Sequence, residues 1–304
     1  MTSPPLRKTT VRRSLSSDAR WAVLFIAPML LGLAVFYLWP AVGTLFTSFT
    51  KTGPFGGWTW IGLDNYRQVF ESDQVGRALL NTVVYSGIVL VSVPLALVIA
   101  ALMAARGLRA VWLFRLAYFL PVITLPVAIG WIWRLLYNGD FGPLNTLLAA
   151  VGLPSRSWLA EGDTALIAIS IVGIWMSIGY PIVLFTAALQ NVPEELHEAA
   201  ALDGAGPIRR FVNVTVPMVS PTIFFVVVLT LIGTLQMFDL IFVMIGDRSP
   251  VRYETQTIIY LFYKSAFIDN QRGLGSAIVV CLMVIIMALT YVQFRLQKKW
   301  VHYE

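Results

Sequence analysis

Between two hydrophobic runs the chain reads Pro193-Glu-Glu-Leu-His-Glu-Ala-Ala-Ala-Leu-Asp203-Gly-Ala-Gly-Pro207-Ile-Arg-Arg-Phe-Val-Asn-Val-Thr-Val-Pro217-Met-Val-Ser-Pro221. In a sequence otherwise made for lipid, this is the one long stretch built to meet something in water. Pro193 suits the first position of a helix, Glu194 and Glu195 favour its positive amino end, and Asp203-Gly204 supplies a stop where glycine takes the left-handed cap. The helix so bounded has about three turns and a length of roughly 16 Å. One side carries Leu196, Ala199, Ala200 and Asp203, spaced three and four apart, and the alanines let another surface approach the backbone closely. Gly206-Pro207 starts a second short helix, and Ser220-Pro221 reads as the cap and first residue of the next hydrophobic helix. A short helix held between two spans by a proline-punctuated turn is a piece that passes force. A helix lying flat on lipid fits poorly, because this one is acidic at its start, alanine-rich and short of large apolar anchors.

Composition sets the surroundings of that stretch. The chain is 58% apolar and 12% charged, against about 45–50% and about 25% in soluble domains. Six runs meet the roughly 20 helical residues that cross a bilayer's hydrocarbon layer: Trp21–Val42, Leu79–Met103, Val111–Leu136, Ala165–Leu189, Pro221–Met244 and Gly275–Phe294. The reading is an all-α membrane protein of six transmembrane helices, since in lipid a helix satisfies its own backbone hydrogen bonds. The first run is too long for a signal-peptide core and no small-residue cleavage site follows it, so it is read as a retained span. Residues 1–20 form a basic tail, 21–74 an additional span with its outer loop, 75–292 a five-span unit containing the 191–221 loop, and 293–304 a second tail.

Lysine and arginine set the orientation. Arg7, Lys8, Arg12, Arg13, Arg20, Arg106, Arg109, Arg115, Arg209, Arg210, Arg295, Lys298 and Lys299 fall on the side of the two tails. The other side holds Lys51, Arg67, Arg77, Arg156, Arg248, Arg252, Lys264 and Arg272, spread over longer loops. Both termini and the 191–221 loop are therefore expected in the cytoplasm. The formal net charge of +6 then reflects topology and anionic lipid contact, with no call for nucleic acid. The single Cys281 lies in the last span and is read as a packing residue.

Catalytic patterns are missing. There is no G-x-x-x-x-G-K-[ST] loop, no G-x-S-x-G elbow, and His197 and His302 are not paired as in H-E-x-x-H. No enzyme chemistry, metal site or nucleotide site is expected in this chain.

Glu198-Ala-Ala, Asp203-Gly204-Ala205, Phe211, Pro217 and Pro221 resemble the Glu-Ala-Ala loop of permease subunits from binding-protein-dependent ABC importers. Gly62-Leu-Asp-Asn-Tyr66, Asn81-Thr82, Leu120-Pro121 and Gly142-Pro-Leu-Asn145 resemble the carbohydrate branch, similar to the maltose and glycerol-3-phosphate permeases. The resemblance covers nearly the whole chain apart from the amino tail. It implies the ABC type I importer permease fold with a cytoplasmic coupling helix, in the cytoplasmic (inner) membrane of a prokaryote. It also implies a second, similar permease, two ATPase subunits that bind ATP and Mg, an extracytoplasmic solute-binding protein, and a sugar-like solute. Glu198 is then the residue expected to contact the ATPase, with Ala199, Ala200 and Gly204 giving close fit. Asp203 either caps the turn or pairs with a base on the partner, and Pro217 shapes the exit from the loop.

The solute path is sought among polar groups inside spans, which are costly in lipid. Gln236 and Asp239 lie three residues apart on one face of the fifth span, with Asp239 about 27 Å from Pro221 by helical rise. In the fourth span Trp175, Ser177, Gly179 and Tyr180, with Pro181, combine aromatic faces, a hydroxyl and a kink, the mixture by which sugars are held. The competing reading is that Gln236 and Asp239 bond to neighbouring helices and that Tyr180 only packs. Ala96, Ala100 and Ala104 form a small-residue row for helix packing. Trp58, Trp60, Trp131 and Trp133 with Arg134 suit interface anchoring. Asn213-Val-Thr215 matches a glycosylation pattern but lies on the cytoplasmic side, and the outer segment Gly246–Arg272 is a candidate contact for the binding protein. An ion-coupled secondary transporter is the alternative, although only Asp239 supplies a carboxylate in a span and no internal duplication is evident.

Overall fold

Each hydrophobic run becomes a helix, and prolines and polar caps decide which runs stay straight. In the computed structural model, which describes residues 15–53, 56–104, 111–246 and 249–300, α1 (Leu15–Leu33) passes through a π-helical turn at Ala34–Leu38 into α2 (Trp39–Thr47). Arg7, Lys8, Arg12, Arg13, Arg106, Arg109, Arg248 and His302 lie outside the described residues. The apolar stretch Trp21–Thr47 is long enough to cross a membrane, and none of its most apolar window is buried within the chain. A short hairpin follows, β1 (Thr50–Thr52) against β2 (Trp58–Trp60), with Thr50 opposite Trp60. The all-α expectation did not include it. Phe46 meets Trp58 edge-on at 5.1 Å and Phe49 stacks on Trp60 at 5.5 Å, so aromatic packing holds the hairpin to the end of α2.

The stretch Gly62–Tyr66 closes this outer region. Gly62 has φ +62°, and α3 (Asp64–Glu71) begins immediately after the turn. The buried Asn65 amide donates to the carbonyls of Ser48 at 2.8 Å and Thr50 at 2.9 Å, and the Tyr66 and Ser48 hydroxyls lie 2.6 Å apart. These bonds satisfy backbone groups freed where α2 ends.

Two further helices, α4 (Asp73–Val89) and α5 (Ser92–Ala104), make one long span, capped by the Ser72 hydroxyl accepting from the Val75 amide. In α5, Ala96 and Ala100 are fully buried where it packs along the helix Gly179–Leu189, as the small-residue row predicts, while Ala104 at the end of the row is exposed.

The run 111–136 is not one straight span. It is α6 (Val111–Ile123) and α7 (Pro126–Leu136), bent from each other by 107°. Leu125 precedes Pro126 and takes the extended conformation, φ −61° and ψ 130°. The proline ring disfavours helix at the residue before it and then opens a new helix at its own position. After α8 (Pro143–Ala150), the fourth run also divides, into α9 (Gly162–Ser177) and α10 (Gly179–Leu189), with a 41° bend that matches the kink expected beside Pro181.

Next come α11 (Glu194–Leu202), α12 (Pro207–Arg210), a π-helical turn at Phe211–Thr215, α13 (Val216–Met218) and α14 (Ser220–Leu235). Then α15 (Asp239–Met244), α16 (Arg252–Thr255) and α17 (Ile258–Tyr263) lead through a π-helical turn at Lys264–Ile268 to α18 (Arg272–Trp300). The last helix thus runs beyond the expected end of its span at Phe294, through residues that are mostly good helix formers. Cys281 sits half-buried in it, beside the cluster of Val69, Ala78, Ile258 and Ile278. Among the described residues four stretches are long and apolar enough to cross a membrane, or six when each bent pair counts as one span.

The Gly246–Arg272 segment is not simply an outer surface. Thr255, Gln256 and Thr257 are fully buried, as are Ile258, Tyr260 and Leu261. Asn81 donates to the Gln256 carbonyl at 3.0 Å, and the Thr82 hydroxyl accepts from the Ile258 amide at 2.9 Å. The Thr257 hydroxyl donates to the Met237 carbonyl at 2.7 Å, which Gln236–Phe238 leaves free where the fifth span breaks. Thr257→Val is expected to lower stability by about 1–3 kcal/mol, the penalty for stranding a buried carbonyl, read as thermal unfolding of the detergent-solubilised chain. Wild-type melting would show that the break needs no capture.

Candidate functional site

The 191–221 loop folds as a rigid projection. Pro193 is the N-cap of α11, one residue earlier than the sequence suggests, and Glu194 and Glu195 occupy the first turn. At the other end Asp203 is the C-cap and Gly204 adopts φ +76°. The Gly204 amide donates to Ala201 at 3.0 Å and the Ala205 amide to Ala200 at 2.9 Å, the paired bonds that close a helix through a left-handed glycine. Every residue of α11 is exposed or half-buried. Glu198 and Ala199 are exposed, Ala200 is half-buried, and Leu202 and Ile208 are 90% and 80% exposed. Leu202 and Ile208 escaped the sequence reading because they lie off the Leu196, Ala199 and Ala200 face. Large apolar residues flanking Asp203–Pro207 were the available signal. Gly206 is the N-cap of α12 as expected, and half-buried Pro217 sits at the start of α13, where the loop returns to the bundle.

The six solute-path candidates do not form one site. Ser177 and Tyr180 flank the bend between α9 and α10 and open onto a cavity of about 280 Å³. Its other walls come from Tyr85 on α4 and from Thr230, Gly233 and Thr234 on α14. Trp175 points elsewhere, packing edge-on against Trp133 at 5.8 Å in the cluster that holds Tyr137 and Ile169. Trp133 is accordingly a packing residue and not an interface anchor. Trp131 is exposed with the Arg134 guanidinium 5.1 Å above its ring, the anchor arrangement expected. Gly179 serves close packing, because a side chain there would run into the Tyr118 carbonyl and Val122 of α6.

Gln236 and Asp239 are separated by the break in the fifth span, so they do not share a helix face. Gln236 caps the end of α14 and lines a different, mostly apolar cavity of about 330 Å³ with Ala41, Thr44 and Met283. Asp239 is exposed at the start of α15 and lines neither cavity. The straight-helix distance from Pro221 fails for the same reason.

Sequence reasoning missed Tyr85, Thr230 and Thr234. Thr230 and Thr234, four apart in an apolar helix, form a polar stripe that periodicity exposes. Tyr85 gave no such signal. It is fully buried, its hydroxyl has no hydrogen-bond partner, and only a glycine at 173 leaves room for it. Among the described residues no group of three or more His, Cys, Asp or Glu side chains converges as a metal site would.

An apolar helical bundle that throws a capped, exposed helix out between two spans defines a polytopic membrane permease. The chain belongs to the family described as binding-protein-dependent transport system inner membrane components, whose sequence profile matches residues 88–302. It is 35% identical to the probable ABC transporter permease protein YurN of Bacillus subtilis, over 90% of this chain and 95% of that one. It is 33% identical to the sn-glycerol-3-phosphate transport system permease protein UgpA of Agrobacterium fabrum, over 92% and 95%. Its fold matches a chain in the crystal structure of a bacterial alginate ABC transporter in complex with an alginate pentasaccharide-bound periplasmic protein, with a TM-score of 0.82, 21% identity, and coverage of 94% and 98%.

Proposed function

We propose that this chain is one of two permease subunits of an ATP-driven importer that moves a sugar or sugar-like solute across a prokaryotic cytoplasmic membrane by alternating access. The observation that carries the reading is α11, a helix opened by Pro193 and closed through Gly204 with no buried residue, placed between α10 and α14. Such a helix has nothing to stabilise within its own chain, and its exposed Glu198, Ala199 and Leu202 suit a cleft on a partner. That partner is a pair of ATPase subunits holding ATP and Mg, and an extracytoplasmic binding protein delivers the solute. The basic-residue asymmetry puts both termini and α11 in the cytoplasm. Closure of the ATPases draws the two coupling helices together and, through α10 and α14, opens the solute path outward.

Between those same helices lies the cavity lined by Ser177, Tyr180, Thr230 and Thr234. A phenol ring and three hydroxyls match a solute rich in hydroxyl groups and poor in charge. Tyr180→Ala is expected to raise the solute concentration for half-maximal uptake roughly three- to tenfold. Trp175→Phe, in the core, should leave it unchanged. Equal effects of the two substitutions would remove the cavity from the path.

The reading as a whole is tested by tagging the carboxyl end, solubilising the native membrane gently and identifying what copurifies. A second permease and an ATPase are expected. A stable chain that transports without any ATPase would overturn the proposal in favour of ion-coupled transport.

A further inference from the structure

At the root of α11 a third cavity, of about 450 Å³, lies between the coupling helix and the ends of the spans. Its walls include Ala101 of α5, Leu189 of α10, His197 of α11, Arg210 of α12, and Phe211 and Thr215 of the π-helical turn. Arg210 is half-buried, and its Nε is sealed from solvent without a hydrogen-bond partner. Among the described residues neither the Arg210 nor the His197 side chain forms a hydrogen bond or ion pair, and no carboxylate lines the cavity. Glu194, Glu195 and Glu198 belong to the same helix as His197 but stand outside that lining.

A guanidinium whose Nε is shut off from water with no acceptor in the chain is an arrangement that a bound anion completes. The planar fork of arginine matches a phosphate, which accepts several hydrogen bonds at once. Thr215 adds a hydroxyl, and Leu189, Phe211 and Ala101 are apolar. Polar donors on one side and hydrocarbon on the other suit the phosphate of an amphiphile.

We propose that this cavity is a phosphate-binding site, with Arg210 as the principal donor and His197 as the second. The phosphate comes from an anionic phospholipid headgroup or from free phosphate in solution. Because its two donor side chains belong to α11 and α12, the bound group joins the coupling helix to the segment that returns to the bundle. It thereby fixes the angle at which α11 projects. The site is read from this chain's own geometry; only the consequence for coupling rests on α11 docking an ATPase.

The test uses the full chain, purified in detergent and stripped of lipid. Phosphatidylglycerol, phosphatidylcholine with the same acyl chains, and inorganic phosphate are titrated separately and followed by native mass spectrometry. Saturable binding of phosphatidylglycerol but not phosphatidylcholine is expected, with about tenfold weaker binding in Arg210→Gln and partial recovery in Arg210→Lys. The neighbouring Arg209 is exposed and outside the lining, so Arg209→Gln should stay within about twofold of the parent chain. Displacement of the lipid by inorganic phosphate supports the site and names free phosphate as a source; retention of the lipid supports it and assigns the headgroup. Should Arg210→Gln fail to accumulate, His197→Gln reads the site from its other wall, with a few-fold loss. Equal losses in the Arg209 and Arg210 variants, equal binding of both lipids, or no binding of phosphatidylglycerol and phosphate would each overturn the proposal.

Discussion

Glu198→Lys is expected to leave the chain inserted in the membrane and to lower uptake at least about tenfold, because it reverses the charge on the exposed helix proposed to dock an ATPase. The backbone does not depend on this side chain. Glu198 is exposed, it is not part of either cap, and the bonds that close α11 run between Ala200, Ala201, Gly204 and Ala205. A charge reversal there therefore tests docking with little effect on folding. Two measurements separate these effects: the amount of chain in the membrane, expected unchanged, and the amount of ATPase recovered with the tagged chain, expected to fall with uptake. Normal uptake would remove Glu198 from the coupling contact, and a chain missing from the membrane would assign it to folding.

Asn145→Leu should be among the most destabilising single changes in the loops between spans, at roughly 2–5 kcal/mol. The Asn145 side chain is buried and uses both ends of its amide. Its Nδ2 donates to the carbonyls of Gly139 and Arg156, each at 2.9 Å, and its Oδ1 accepts from the Arg156 amide at 3.2 Å and the Trp158 Nε1 at 3.1 Å. Leucine fills a similar volume and answers none of these groups, leaving donors and acceptors of two loop segments unpaired. Thermal unfolding of the solubilised chain, with Trp158 fluorescence as a local probe, measures the loss. Melting within the error of the parent chain would mean that water replaces the amide and that the hub is dispensable.

Asn145 also shows how far the sequence carried. It belongs to one of the short patterns on which the family resemblance rests, as do Asn65, Asn81 and Thr82, and the patterns alone do not say what these residues do. In the fold they are hydrogen-bonding hubs. Asn65 holds the end of α2, Asn81 and Thr82 hold the buried strand-like crossing at Gln256–Ile258, and Asn145 holds the loop after α8. Each partner is a backbone group whose position depends on how distant segments fold, which no local pattern encodes.

The solute-path residues divide along the same line. Ser177 and Tyr180 were legible because an aromatic, a hydroxyl and a proline in an apolar run mark a bend, and the bend is there. Gln236 and Asp239 were misread because a run of apolar residues says nothing of a break at Phe238. At that break the Thr257 hydroxyl, 20 residues further along the chain, donates to the Met237 carbonyl. Trp175 and Trp133 were assigned to solute and interface, but their rings face each other.

By itself the sequence determined the membrane class, the apolar runs from which the long helices form, and the helix between Pro193 and Gly204. These depend on hydrophobic length and on the conformations of proline and glycine, and both act within a few residues along the chain. Only the tertiary structure decided that 111–136 turns through 107°, that Thr255–Thr257 lie in the core, and that Tyr85, Tyr180 and Thr234 share one cavity. In a chain this apolar nearly every helix face is acceptable to lipid or to another helix. Hydrophobicity therefore places the helices in the membrane, and the pairing of a few polar groups far apart in sequence decides which faces meet.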